Sequence, residues 1–401
     1  MSEHFVGVAV KTLTRVDATA RSNQHEIGTT VAMRRFLGEE KREFPAIFLW
    51  LGREQESFSE DGKLSLYDSR EKKEHRGPEW RLYYPTNAVT EAMTEGETLF
   101  LALRTDGSVL FIVSPAQSTI QSQLLWLFGF DAEPELAFDA HQISGDEDAE
   151  LDFAARLILD EIGVEYEDPE ANTIDAIIEK FGTSFPSTRE FSDLARLTLP
   201  SVDARDDADA ALLAWLSHEE GMFRRLERKA VSERLSAGFR AGQDVDVDGF
   251  VQFSLGVHNR RKSRMGYSFE HHLEAVFRAF GLAYGRQVKT EHGNTADFLF
   301  PGAAAYHDPG YPGDRLTMLA AKSTCKDRWR QVLPEAHRIW PKHLATLEPA
   351  ISVTQTEQMK VEGIQLVIPQ SLQETYRAAG QRGGLMSLAE FVAVVRQRAD
   401  S

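Results

Sequence analysis

Ala296-Asp297-Phe298-Leu299-Phe300, then Ala320-Ala321-Lys322-Ser323-Thr324-Cys325-Lys326-Asp327-Arg328-Trp329-Arg330, then Glu335, are the stretches that decide how the C-terminal half of this chain folds. An acidic residue opens one apolar strand and a lysine closes the next, 25 residues later. A second carboxylate follows 13 residues further on, in a segment read as a helix over about 327–340. Around this window, strands are expected at Asp297–Phe300, Leu316–Ala321, Leu344–Leu347 and Ile364–Ile368, with helices at Ser268–Phe280 and Gln355–Glu362. In the first helix Leu273, Val276, Phe277 and Phe280 recur at helical spacing, with Ser268 as cap and Gly281 as stop. Strands alternating with helices predict an α/β domain built on a mixed sheet.

Upstream, helices are expected at Glu190–Leu197, Ala210–Leu216 and Phe223–Leu235. The first 130 residues read differently. Short apolar runs at Phe5–Val10, Ala46–Leu51, Leu82–Tyr84, Thr98–Arg104 and Val109–Val113 predict strands, and Asp106-Gly107 predicts a tight hairpin between the last two. Ile120–Phe128 reads as a helix. The expected organisation is a mainly β pseudobarrel over 1–135, an acidic connector over 136–180, partly helical around Leu151–Ile162, and an α/β domain over 181–401.

The net charge of −17 is unevenly spread. Residues 131–170 hold fifteen Asp or Glu and one basic residue, Arg156, which leaves 44 basic and 47 acidic residues in the other 361. Screening confines each field to roughly 8–10 Å, so an acidic segment does not forbid a basic nucleic-acid cleft elsewhere. Cys325 is the single cysteine, which excludes an intrachain disulfide and fits a reducing cytoplasm. The N-terminus lacks the basic-then-apolar pattern of a leader. The longest uncharged stretch, Gly107–Phe130, contains Pro115 and many Ser and Gln, so no membrane span is expected.

Asp297 at the end of a buried strand is costly unless a cation neutralises it. Mg²⁺ suits such a place, because it takes one or two carboxylates along with water and phosphate oxygens. Lys322 is placed to stabilise charge developing on a phosphoryl group. Glu335 would supply a second metal-holding carboxylate, and Glu270 borders the apolar face of its helix, where a carboxylate needs a partner. Each has a plainer explanation when taken singly. Asp297 could face solvent, Lys322 could snorkel from a strand end, and Glu335 could be a surface helix carboxylate. Together the four agree on metal-assisted hydrolysis.

Lys326-Asp327-Arg328-Trp329-Arg330 supplies groups suited to base edges: Arg for the acceptor pair of guanine, Asp for the cytosine amino group. A solvent-facing charge set at a helix start is the alternative. The run Asn259-Arg260-Arg261-Lys262-Ser263-Arg264 carries four positive charges in six residues, a pattern that contacts phosphates or simply lies in a solvated loop. The histidines His271, His272 and His307 lack zinc-ligand companions, and no Walker loop or dinucleotide fingerprint is present.

The segments 259–264, Ser268-Phe-Glu-His-His-Leu-Glu274, Asp297-Phe-Leu-Phe-Pro301, Ala305-Tyr-His-Asp308 and 322–330 closely resemble the catalytic domain of EcoRII-type (type IIE) restriction endonucleases, over about residues 250–375. The resemblance implies a PD-(D/E)XK nuclease fold that uses Mg²⁺ and cuts double-stranded DNA at CC/GG-flanked palindromes such as CCWGG. It further implies a homodimer, since a two-fold palindrome is read by a two-fold symmetric protein, and a cognate cytosine methyltransferase as functional partner. Carried over, Asp297, Lys322 and Glu335 are catalytic with Glu270 in support, and Asp297 and Glu335 hold the metal. Lys262 touches DNA, while Lys326, Asp327 and Arg328 read the outer G·C pairs. Arg264 and Arg330, in the same two basic runs, are counted with the DNA-binding residues. Two departures stand out. Ala296 replaces the usual proline, and Ala320 replaces the usual acid two residues before the lysine, so that Glu335 must fill the acidic role.

In the N-terminal part, Val10-Lys11-Thr12-Leu13-Thr14 and Tyr67-Asp68-Ser69-Arg70 are similar to segments of the same family's effector domain, a DNA-binding pseudobarrel that relieves autoinhibition. The likeness implies an effector cleft lined by Lys11, Arg70, Arg76 and Arg81, with Glu79 accepting from a cytosine amino group. The loop Arg70–Arg81 holds five Lys or Arg, which fits independently, as does a plain charged hairpin loop. The competing functions are a structure- or damage-directed nuclease on the same fold, marked by cleavage indifferent to sequence, and a non-catalytic DNA-binding protein, marked by binding that survives loss of Lys322.

Overall fold

The structure is a computed structural model. It describes all residues except 19–24, 53–56, 73–74, 145–150, 167–170, 242–243, 326–327 and 401. The chain divides into two units, Met1–Val164 with Ala350–Gln355, and Glu165–Pro349 with Thr356–Ser401.

The N-terminal unit is a curled eight-stranded sheet that forms a half-barrel. Its strands are β1 (Phe5–Thr12), β2 (Glu26–Gly28), β3 (Arg42–Leu51), β4 (Ser57–Asp68), β5 (Trp80–Tyr83), β6 (Thr98–Arg104), β7 (Val109–Ser114) and β8 (Asp139–Gln142), in the order β2-β5-β4-β3-β7-β6-β1-β8. The expected hairpin joins β6 to β7, and Gly107 takes φ +83 there, a conformation glycine adopts at little cost. The core is filled by Phe44, Phe48, Leu66, Leu82, Phe111 and their neighbours. Strand β4 was not foreseen. Its first seven residues are exposed, so it lacks the alternation that marks a half-buried strand.

The acidic stretch does not stand apart as a connector. Asp139–Gln142 pairs with β1 as an edge strand of the half-barrel, and the helix Phe153–Glu161 buries Ala155, Ile158 and Leu159 in the same unit. Farther along, Ile174 and Ile178 pack with Phe191, Met222 and Phe223 in the second unit. Apolar residues at helical spacing decide these placements, and the carboxylates stay on the solvent side.

The C-terminal unit is a five-stranded mixed sheet with flanking helices. A two-residue-strand pair, β9 (Arg240–Ala241) and β10 (Asp244–Val245), precedes it. The sheet runs β11 (Gly285–Lys289), β12 (Thr295–Phe300), β13 (Thr317–Lys322), β14 (Lys342–Thr346) and β15 (Ile364–Val367), in that order. The first two pairings are antiparallel and the last two parallel. Phe277 meets Phe298 and Phe300 edge-on at 5.2 Å each, which seats the longest helix against β12. A buried aromatic contact of this kind contributes on the order of 1 kcal/mol beyond area burial.

Two helices are longer than expected. The separate segments at 210–216 and 223–235 form one helix, Ala208–Ala237, capped by Asp207 and ended at Gly238. Its polar middle, His218 to Glu220, reads as a break, but Glu219 is buried against His272 and Arg264 of the neighbouring helix, so the helix continues. That neighbour runs from Val247 to Ala279, capped by Asp246, and spans about 50 Å. Ser268 is therefore mid-helix rather than a cap, and the basic run 259–264 is helical rather than a loop.

Candidate active site

Asp297 and Lys322 meet because β12 and β13 are antiparallel neighbours, with Phe298 opposite Leu319. The Asp297 carboxylate is buried, with one oxygen, Oδ2, accepting from the Ala321 amide at 2.9 Å and from Lys322 Nζ at 2.8 Å. Its other oxygen, Oδ1, accepts from Gln287 Nε2 at 3.1 Å. The cation that burial of Asp297 demanded is thus in part the lysine itself.

Glu335 is not on a helix. The segment after Lys322 makes one 3₁₀ turn, Arg328–Val332, and Glu335 lies in the bend beyond it. Its amide bonds to Val332 O at 3.0 Å, Asn294 Nδ2 holds the Pro334 carbonyl at 3.0 Å, and Ala336 turns to φ +45. A backbone bond to the preceding turn and the Asn294 side chain therefore place Glu335, where a helix was expected to. The carboxyl is buried, and its Oε2 has no hydrogen-bond partner among the described residues. Burial pushes it up to about 8, and the charge of Asp297 adds to the rise while Lys322 and Lys342 oppose it. A buried, unpartnered oxygen beside a second carboxylate is the kind of donor that a hard divalent cation takes up. Among the described residues, no group of three or more His, Cys, Asp or Glu is gathered to hold a metal. The donors here are two carboxylates, which fits Mg²⁺ better than zinc.

Glu270 does not touch Asp297. It accepts from Arg286 Nη2 at 2.9 Å and from Gln287 Nε2 at 3.3 Å, so it reaches Asp297 through the glutamine. Arg286 also bonds Glu274, which collects Arg189, Arg278 and Tyr284 as well. Burial raises the Glu274 carboxyl, yet the hydrogen bonds from Arg189 and Tyr284 leave it below the usual range. Gln287 and Glu274 were missed from the sequence, because neither lies in an acid–lysine pattern. A glutamine opposite Asp297 becomes visible only once β11 is paired with β12. Lys342, buried at the start of β14, was also missed; burial lowers its ammonium while Glu335 and Glu291 act to raise it.

The expected DNA contacts divide. Arg328 and Arg330 are exposed, with Arg330 lying over the Trp329 ring at 4.7 Å. Lys326 and Asp327 lie outside the described residues, and Lys262 is on the long helix, its side chain undescribed. Arg264 is not at the surface. It is buried, ion-paired with Glu219, and stacked over Phe191 and Phe223. Arg261 likewise pairs with buried Glu227 at 2.5 Å. A basic run on a helix that packs against an acidic stripe spends part of its charge inside. His272, also buried, contacts Glu219 at 2.8 Å and Arg196 at 2.8 Å, with Trp215 stacked on it, which makes it structural.

In the N-terminal unit, Glu79 bridges Arg70 at 2.6 Å and Arg81 at 2.8 Å, and Arg81 also reaches Glu26 at 2.8 Å. Arg76 is exposed on the same loop. Lys11 departs from the expectation. It is buried, paired with Asp17 at 2.6 Å, with Phe138 beneath it, so it lines no open cleft.

The sheet order and the paired acid and lysine define the class, a restriction-endonuclease-like domain. Residues 223–392 match the family model described as EcoRII C terminal. The chain is 43% identical to the type II restriction enzyme EcoRII of Escherichia coli over 188 residues, which is 47% of this chain and 45% of that protein. It is 33% identical to the type II restriction enzyme SsoII of Shigella sonnei over 113 residues, 25% of this chain and 36% of that protein. The chain thus spans less than half the length of either curated relative. A solved structure of metal-depleted Ecl18kI in complex with uncleaved, modified DNA aligns at a TM-score of 0.46 and 16% identity, over 59% of this chain and 86% of that one. The chain is thus similar to EcoRII-type restriction endonucleases over its C-terminal part, residues 223–392. Among the described residues, no helix is long and apolar enough to cross a membrane.

Proposed function

We propose that the chain is a Mg²⁺-dependent type II restriction endonuclease that cuts both strands of DNA at a CC/GG-flanked palindrome such as CCWGG. The observation that carries this is the pairing of Asp297 with Lys322, within electrostatic reach of the buried Glu335 carboxyl, in a domain that matches the EcoRII C-terminal family. Asp297 and Glu335 would hold the metal, which when bound supplies Lewis-acid activation of water and charge neutralisation at the phosphate. Lys322 Nζ stabilises the charge that develops on the phosphoryl oxygens, and its bond to Asp297 keeps it aimed there. Glu270 acts through Gln287. Arg328 and Arg330, with Lys326, Asp327 and Lys262, are assigned to DNA, and Arg264 is withdrawn from that set because it is buried.

A palindrome cut on both strands calls for a homodimer. By the resemblance of segments 10–14 and 67–70 to an effector domain, the N-terminal half-barrel is assigned an effector role, binding a second duplex through the Arg70–Arg81 loop, with Arg70, Arg76, Arg81 and Glu79 facing it. A cognate cytosine methyltransferase and a cytoplasmic setting complete the proposal. The test is digestion of unmethylated phage DNA with Mg²⁺ by wild type and Asp297→Ala, followed by sequencing of the ends. Discrete ends at CC…GG sites, absent in the variant, support the assignment. Intact DNA with both proteins, also in the presence of an uncleavable site-bearing oligonucleotide, would replace it with a binding protein.

A further inference from the structure

Gln287 stands across the sheet from Asp297, between the paired residues Arg286 with Phe298 and Val288 with Ala296. Its backbone takes φ +50, a conformation non-glycine residues seldom adopt. Such a residue persists where its surroundings hold it in place. Here one side-chain nitrogen reaches two carboxylates, Asp297 Oδ1 at 3.1 Å and Glu270 Oε2 at 3.3 Å. Glu270 is itself anchored by Arg286, which is anchored in turn by Glu274. The terminal torsion of an aspartate is soft, so its oxygens stay put only when both are bonded to fixed partners. Ala321 and Lys322 hold Oδ2. The partner at Oδ1 is Gln287.

We propose that Gln287 is a positioning residue of this centre: it locks the Asp297 carboxylate to Glu270, so that Oδ1 offers its remaining lone pair to a divalent cation. The proposal rests on the nuclease assignment above. It extends the acid–lysine–acid set by a residue that neither touches the reacting phosphate nor belongs to the core. Because Gln287 is largely exposed, replacing it disturbs little packing.

The test measures Mn²⁺ binding to the full chain without DNA, from the spin resonance of free Mn²⁺, together with the melting temperature. Wild type, Gln287→Gly, Gln287→Ala and Asp297→Asn are compared. Glycine takes a positive φ freely, so Gln287→Gly should melt at or above the wild-type temperature. Its Mn²⁺ affinity should nevertheless fall about tenfold, as partners of metal-binding side chains typically show, while Asp297→Asn loses binding. Gln287→Ala should show the same loss of affinity with a lower melting temperature. Wild-type affinity, or tighter binding, in Gln287→Gly with binding lost in Asp297→Asn would overturn the role of Gln287 alone. Equal binding by wild type and Asp297→Asn, or none by wild type, would overturn the metal site and this inference with it.

Discussion

Lys322 Nζ and the Ala321 amide converge on a single oxygen of Asp297, at 2.8 and 2.9 Å. The backbone donor fixes the carboxylate to the sheet, and the ammonium offsets its charge. Removing the lysine therefore removes the cation proposed to act in catalysis and leaves the carboxylate anchored. Lys322→Met should reduce cleavage by roughly 10²–10³-fold in single-turnover assays. Site-specific DNA binding in Ca²⁺ should persist in gel shifts. Undiminished cleavage would refute the catalytic role.

Glu335 should make the metal-free protein less stable as pH rises. Its folded-state carboxyl is raised from 4.5 to about 8, so the stability it contributes is complete below about pH 4.5 and lost as pH climbs through 8. Glu335→Gln removes that loss. Melting curves in chelator should show the variant ahead of wild type by on the order of 5 °C at pH 8.5, with the gap closing toward pH 4.5. A gap independent of pH would contradict the assignment.

Two of the arginines expected to contact DNA, Arg264 and Arg330, should behave oppositely. Arg264→Ala strands the buried Glu219 carboxylate and should cost about 3–5 kcal/mol in urea unfolding. Arg330→Ala should leave stability unchanged, weaken DNA binding, and reduce the salt slope of affinity by about 1. A stable Arg264→Ala protein with weak DNA binding would reverse these roles.

Glu219 should also set the acid limit of the C-terminal unit. Burial raises its carboxyl, but hydrogen bonding to His272 and the charge of Arg264 bring it down to about 2. Its stabilisation is present above about pH 4.5 and is lost as pH falls toward 2. In Glu219→Gln the acid-unfolding curve between those pH values should be shallower. An unchanged slope would show that other carboxylates set the limit.

In the N-terminal unit, Arg81→Ala should weaken binding of a short site-bearing duplex, measured by anisotropy on a chain whose C-terminal centre carries Asp297→Asn. Lys11→Met should bind as wild type but melt lower, because Lys11 is turned inward to Asp17. Equal losses in both variants would restore Lys11 to the cleft.

Much of this was legible in the chain. Apolar runs placed nine of the strands to within a few residues, and the 25-residue spacing of Asp297 and Lys322 put them on adjacent strands. Glu335 was singled out as a second carboxylate for the Asp297 centre on the expectation of a helix, whereas a 3₁₀ turn and the Asn294 bond deliver it. The continuity of helix Ala208–Ala237 was illegible because its polar middle is neutralised by residues more than 40 positions away.

What the sequence determined by itself is local and periodic. It set which segments are strands or helices, where the acid and lysine stand, and which family the C-terminal half resembles, because alternation, spacing and motif order are properties of neighbouring residues. Only the tertiary structure decided the fate of each charge. Arg264 and Lys11 are buried in ion pairs, Arg328 and Arg330 remain outside, and Gln287 links two carboxylates. Whether a charge meets water, a counter-ion or a ligand depends on residues far along the chain that packing brings within a few ångströms, and no local pattern records that.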